Sequence, residues 1–95
     1  QQYAAGLYGS TDERKVKFAE SNAGLLAMSI MYAAKYYGVE SHPMSGVDFK
    51  GIKREFGIDG EKEAVMLICL GYLDKNATLY PRRKRFGYSE IVKEV

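Results

Sequence analysis

The segment from Asn22 to Tyr37 constrains the fold more than any other part of the sequence, because it is apolar on nearly every side of a helix. At helical spacing, one face carries Ala23, Leu26, Ala27, Ile30, Ala33, Ala34 and Tyr37, and the other carries Leu25, Met28, Tyr32 and Tyr36. Such a helix must be covered on all sides. The rest of the chain predicts only one short helix and two strands as cover. We therefore expect another chain, or a segment missing from this sequence, to supply the remainder.

A membrane-spanning helix would be the other explanation, and the sequence disfavours it. A span needs about 20 predominantly apolar residues, whereas this run is shorter and is interrupted by Asn22, Ser29 and Lys35. The composition, 46% hydrophobic and 27% charged, is that of a folded globular protein rather than a disordered one. The chain opens at Gln1 without an initiator Met or a signal peptide, and we interpret this as a truncation point.

Capping residues set the limits of the long helix. We expect a loop from Gln1 to Ser10, then a helix from about Asp12 to Tyr37 with Thr11 or Ser10 as its N-cap. Asp12 and Glu13 would lie in its first turn, where carboxylates favour the positive end of the helix dipole. Gly38 predicts its C-terminal end.

The second half of the chain predicts shorter elements. Residues 39–44 contain a proline and indicate a brief edge strand or an extended loop. Asp48 predicts the N-cap of a helix over residues 49–56 that ends at Gly57. The apolar run of residues 64–70 predicts a strand buried on both faces, which needs more neighbouring strands than this chain provides. Residues 74–88 turn polar and aromatic and predict an extended arm.

The single cysteine and the single histidine offer little chemistry by themselves. Cys69 cannot form an internal disulfide, and its place in the predicted buried strand favours packing over nucleophilic reactivity. A reduced, cytoplasmic protein is the simplest interpretation. His42 has no second ligand at a metal-binding spacing, so we expect no metal site, and a structural role or a place in a ligand pocket remains open. The tyrosines, including Tyr3, Tyr8 and Tyr32, favour core or interface packing over a substrate pocket.

Positive charge is local. Residues 82–85 read Arg-Arg-Lys-Arg and supply four of the 14 basic residues, which leaves 10 against 12 acidic ones elsewhere. Guanidinium groups bind phosphate through two parallel hydrogen bonds. A phosphate site, a nucleic-acid contact and a solvated arm are the three interpretations, and the net acidic remainder disfavours nucleic acid as a partner.

The order of these features resembles the C-terminal half of the nitroreductase family. The matching pieces are the alanine-rich helix Leu25–Lys35, the turn Pro43-Met44-Ser45-Gly46, and the strand that ends in Leu70-Gly71-Tyr72. Their order is more specific than any piece alone. The resemblance implies an α+β fold in which helices flank an antiparallel sheet, with the long helix buried at the interface of an interlocked homodimer. The chain, residues 1–95, would form the C-terminal part of an FMN-binding domain.

The resemblance also implies a function and a site. The activity would be reduction of a nitroaromatic, quinone or similar acceptor by NAD(P)H through FMN, with no catalytic side chain in this segment. Pro43, Met44, Ser45 and Gly46 would lie against the flavin, with the Ser45 amide donating to the ring nitrogen that carries the hydride. Arg83 and Arg85, or less well Arg82 and Lys84, would hold the FMN phosphate.

Two departures from the family pattern bear on this expectation. Family members hold the FMN with Arg and Ser residues of an N-terminal segment that has no counterpart here, and Ser45 stands where the family often has Gly or Glu. The alternative function is a non-catalytic fragment of the nitroreductase fold that acts as a dimerisation or binding module.

Overall fold

The computed structural model describes residue 6 and residues 9–95. Within these residues one long helix is followed by two strands and two short helices. Helix α1 spans Asp12–Tyr36, strand β1 spans Glu40–Met44, and helix α2 spans Phe49–Glu55. Strand β2 spans Leu67–Gly71, and the single-turn helix α3 spans Tyr88–Ile91. The loop predicted over residues 1–10, with Tyr3 and Tyr8, lies almost entirely outside the described residues.

Both ends of α1 form as the sequence predicts. Of the two N-cap candidates, Thr11 is the cap, because its side chain accepts a hydrogen bond from the Arg14 N–H at 3.2 Å. At the other end Gly38 has a positive φ of 75°. The Gly38 and Val39 N–H groups donate back to the carbonyls of Lys35 and Ala34 at 3.0 and 2.9 Å, so the last turn leaves few carbonyls unpaired.

Helix α2 repeats the same design over a shorter length. Asp48 accepts a hydrogen bond from the Gly51 N–H at 3.0 Å, as expected of the N-cap. Gly57 has a φ of 61° and ends the helix. The Ile58 N–H closes the turn on the Lys53 carbonyl at 2.8 Å. Local chemistry therefore determines both ends of this helix.

Strands β1 and β2 form a two-stranded antiparallel sheet. The register places Ser41 opposite Leu70, His42 opposite Cys69 and Pro43 opposite Ile68. The strand alternative for residues 39–44 is thereby confirmed. An ion pair between Lys35, in the last turn of α1, and Glu40, the first residue of β1, links helix to sheet.

The expectation of a strand over residues 64–70 that is buried on both faces was wrong for this chain. The strand begins at Leu67 and ends at Gly71. Leu67 and Ile68 are half-buried, whereas Cys69 to Gly71 are exposed. The reason is the lack of neighbours: in the described part of the chain only β1 pairs with β2. The related expectation that Cys69 is buried is corrected with it, because its thiol is exposed.

The core of the chain is small. Among the described residues only Ala27, near the middle of α1, is fully buried. The solvent-accessible surface is 9166 Å², against about 5,500 Å² for a compact monomer of this mass. The radius of gyration, 17.8 Å, exceeds the roughly 12 Å of a compact domain of this length. The chain therefore leaves much of its apolar surface without cover.

Candidate functional site

The end of β1 and the turn that follows it hold the first group of predicted site residues. Pro43 and Met44 are the last two residues of β1, and Ser45 and Gly46 lead toward the α2 N-cap at Asp48. Because β1 is paired with β2 and α2 is capped, both ends of this turn are fixed to regular structure. The backbone of Ser45 and Gly46 is thus presented from a defined position.

The turn leaves its N–H donors available. Within the described residues, the N–H groups of Ser45 and Gly46 donate to no other part of the chain. Both residues are exposed. A Cβ added at Gly46 would meet no atom within 4 Å, so the chain's own packing does not require glycine here. The open space and the two donors fit the edge of a planar, hydrogen-bonding ligand such as a flavin ring.

The second group of predicted site residues, Arg83 and Arg85, lies on the arm. Residues 78–87 form no helix or strand, and all four cationic side chains from Arg82 to Arg85 are exposed. No hydrogen bond or ion pair engages these four within the described part of the chain. Their guanidinium and ammonium groups are therefore available for an anion, as a phosphate site requires.

The structure does not bring these two groups of residues together within one chain. No hydrogen bond or ion pair joins the turn to the arm among the described residues, and none of the predicted site residues on either segment lines one of the four concavities found on the chain. Residues that hold one ligand usually line a common cavity. Here the remaining walls must come from outside the chain.

Two larger open concavities lie on the body of the chain. The first, about 490 Å³, is apolar and lies between α1, α2 and the segment before β2. Its lining side chains are Ala23, Leu26, Ala27, Ile30, Ile52, Phe56, Ile58, Glu63, Ala64, Val65, Met66, Leu67 and Ile68. Because this groove lies over Ala27, the one fully buried residue of the described chain, it marks where the core would continue if more chain covered it.

The second concavity, about 540 Å³, lies beside the two strands. It is lined by Glu40, Ser41, His42, Cys69, Leu70, Gly71, Tyr72, Leu73, Asp74 and Leu79. His42 and Cys69 are cross-strand neighbours there. His42 therefore lies on a concave surface, although nothing near it provides a second metal ligand: the described residues contain no group of three or more His, Cys, Asp or Glu side chains that could hold a metal.

Two smaller concavities, of about 380 and 210 Å³, flank α1. One is lined by its first half and the segment before β2, and the other by its second half and Ser41 of β1. The first of them includes four charged residues, Lys15, Glu20, Glu61 and Glu63, and contains none of the predicted site residues.

Comparison with known proteins decides the family. The model of the nitroreductase family matches residues 5–72 of this chain, which include the turn from Pro43 to Gly46. The chain belongs to the nitroreductase family. The basic residues of the arm lie beyond the matched range, so the family match does not itself reach Arg83 and Arg85.

Individual relatives agree with this assignment. A Bacillus subtilis protein named as an NAD(P)H nitroreductase, MhqN, is 39% identical over 71 residues, which cover 75% of this chain and 34% of that protein. A Streptomyces coelicolor protein named as an NADH dehydrogenase/NAD(P)H nitroreductase is 31% identical over 77 residues, covering 81% of this chain and 38% of its own length. The chain thus spans little more than a third of these nitroreductase relatives.

Solved structures establish the fold. The crystal structure of a protein named as the nitroreductase ydfN, from Bacillus subtilis, matches with a TM-score of 0.87 at 32% identity, over 100% of this chain and 45% of that one. A nitroreductase family protein from Streptococcus pneumoniae matches with a TM-score of 0.79 at 24% identity, over 99% of this chain and 46% of its own, and supports the fold alone. The α+β nitroreductase fold expected from the sequence is confirmed.

The structure adds a capped helical turn after the basic segment that the sequence prediction missed. The arm ends in α3, whose first turn is closed by the Glu90 carboxylate accepting the Gly87 N–H at 2.7 Å. The Tyr88 hydroxyl donates to Glu94 at 3.2 Å. A glycine followed three residues later by glutamate was the available signal, since it follows the spacing of a helix N-terminal capping pair. This turn follows directly after the segment that carries the basic residues.

Proposed function

We propose that the full-length protein is an FMN-dependent oxidoreductase that reduces nitroaromatic, quinone or similar acceptors with NAD(P)H. The supporting observation is that the family match runs through the turn after β1, where Ser45 and Gly46 present unbonded N–H groups next to open space. The names of two curated relatives include NAD(P)H nitroreductase, which agrees with reduction by a nicotinamide coenzyme.

The chain's own contribution is binding and orientation. When bound, FMN supplies the two-electron chemistry between NAD(P)H and the acceptor. The Ser45 N–H would donate to the flavin ring nitrogen, the backbone from Pro43 to Gly46 would support the ring, and Arg83 with Arg85 would hold the phosphate. No side chain of this segment is assigned as an acid or a base, so the proton that accompanies reduction of the acceptor comes from solvent or from elsewhere in the protein.

We also propose that the working form is a homodimer. Compared with a compact monomer, the chain exposes about 3,700 Å² of additional surface, which is enough for the rest of the fold and a second copy each to cover a part. Leu25, Tyr32 and Tyr36 of α1 are 69%, 72% and 84% exposed.

The described residues contain no helix that is both long and apolar enough to cross a membrane. A cytoplasmic location stays a prediction from the single unpaired cysteine.

The test is the absorption spectrum of the purified full-length protein, followed by anaerobic addition of NADH or NADPH. We expect flavin absorption at close to one FMN per subunit and bleaching when either coenzyme is added. Re-oxidation by a quinone or a nitroaromatic should restore the colour. A colourless protein that fails to take up added FMN would instead support the non-catalytic module.

A further inference from the structure

We draw no further inference here: the strongest candidate, the concavity beside β1 and β2 that His42 and Cys69 line as cross-strand neighbours, pairs one imidazole with one thiol, and nothing in the structure points to a ligand there or shows what covers that surface.

Discussion

At Ser45 an experiment can separate the contribution of the backbone N–H from that of the side-chain hydroxyl. Its N–H bonds to nothing else in the described chain, and the proposed donor is this N–H rather than the hydroxyl. Ser45→Ala in the full-length protein should therefore leave the rate of flavin reduction nearly unchanged. Ser45→Pro, which removes the N–H, should lower that rate by about tenfold, the equivalent of one net hydrogen bond. Anaerobic stopped-flow absorbance measures both rates.

Proline also restricts the residue before it, so the Ser45 comparison needs a control for strain. Met44→Pro serves this purpose: it lies at the end of β1, opposite Leu67, and it leaves the Ser45 N–H in place. A Met44→Pro variant that loses stability but reduces its flavin faster than Ser45→Pro supports the donor. Equal rates for Ser45→Pro and the wild type dismiss it.

Arg83 and Arg85 are the residues whose assignment depends most on charge, because the family match ends at residue 72. Changing both to Ala should weaken FMN binding by on the order of 10²-fold, since each charge-assisted hydrogen bond contributes roughly 1.5 to 3 kcal/mol. Riboflavin lacks the phosphate and should bind the variant and the wild type almost equally. Fluorescence titration with both flavins measures the difference. A parallel loss of riboflavin affinity would show that the change damages the site as a whole.

At the scale of the elements, the end of α1 depends on one backbone conformation. Gly38 has a φ of 75°, which L-residues with a side chain rarely adopt. Gly38→Ala should lower the free energy of unfolding of the full-length protein by about 1 to 2 kcal/mol. Gly60→Ala is the matched control, because Gly60 has no positive φ and an added Cβ meets nothing within 4 Å. Urea unfolding should show that the control is neutral or slightly stabilising, and equal losses in the two variants would contradict the helix-end argument.

Local signals explain which elements the sequence could predict. Thr11, Asp48, Gly38 and Gly57 act within three or four residues of themselves, so the limits of α1 and α2 followed from short-range chemistry to within one residue. Strand β2 was placed three residues early, because an apolar run says only that a segment prefers burial. Its actual limits depend on pairing with β1, a contact between residues more than 20 positions apart. Helix α3 begins at Tyr88, the last residue of the predicted arm, and no element was predicted for the residues after it.

For the candidate site, too, the sequence could predict some features and not others. Proline and glycine predicted a turn from Pro43 to Gly46, but only Ser45 and Gly46 lie beyond the strand, because Pro43 and Met44 pair with β2 as part of β1. The pairing of cations on the arm could not be decided, since it depends on the orientation of side chains in extended chain. Within the described residues the two predicted segments do not share a cavity, so the proposed site would need walls from outside this chain.

At the scale of the whole molecule, the long apolar helix α1 has two exposed sides that need cover in a stable protein. Leu26 and Ile30 line the apolar groove above Ala27, while Leu25, Tyr32 and Tyr36 are exposed on the outer side. Two different covers are therefore needed. This chain matches only 45% of the length of the ydfN structure; in our proposal the remainder of such a fold would cover the groove, and the second copy of the proposed homodimer would cover the outer side.

The final prediction compares this 95-residue segment with the full-length protein. With only Ala27 fully buried among its described residues, the segment alone should unfold without a cooperative transition or self-associate through its apolar helix, and it should not hold FMN tightly. The full-length protein should elute as a dimer, absorb as a flavoprotein and unfold cooperatively. Gel filtration with light scattering, an absorption spectrum and thermal unfolding of both proteins provide the comparison. A monomeric full-length protein would refute the proposal that a second copy covers α1. A segment that binds FMN stoichiometrically would show that the turn and the arm suffice for the site.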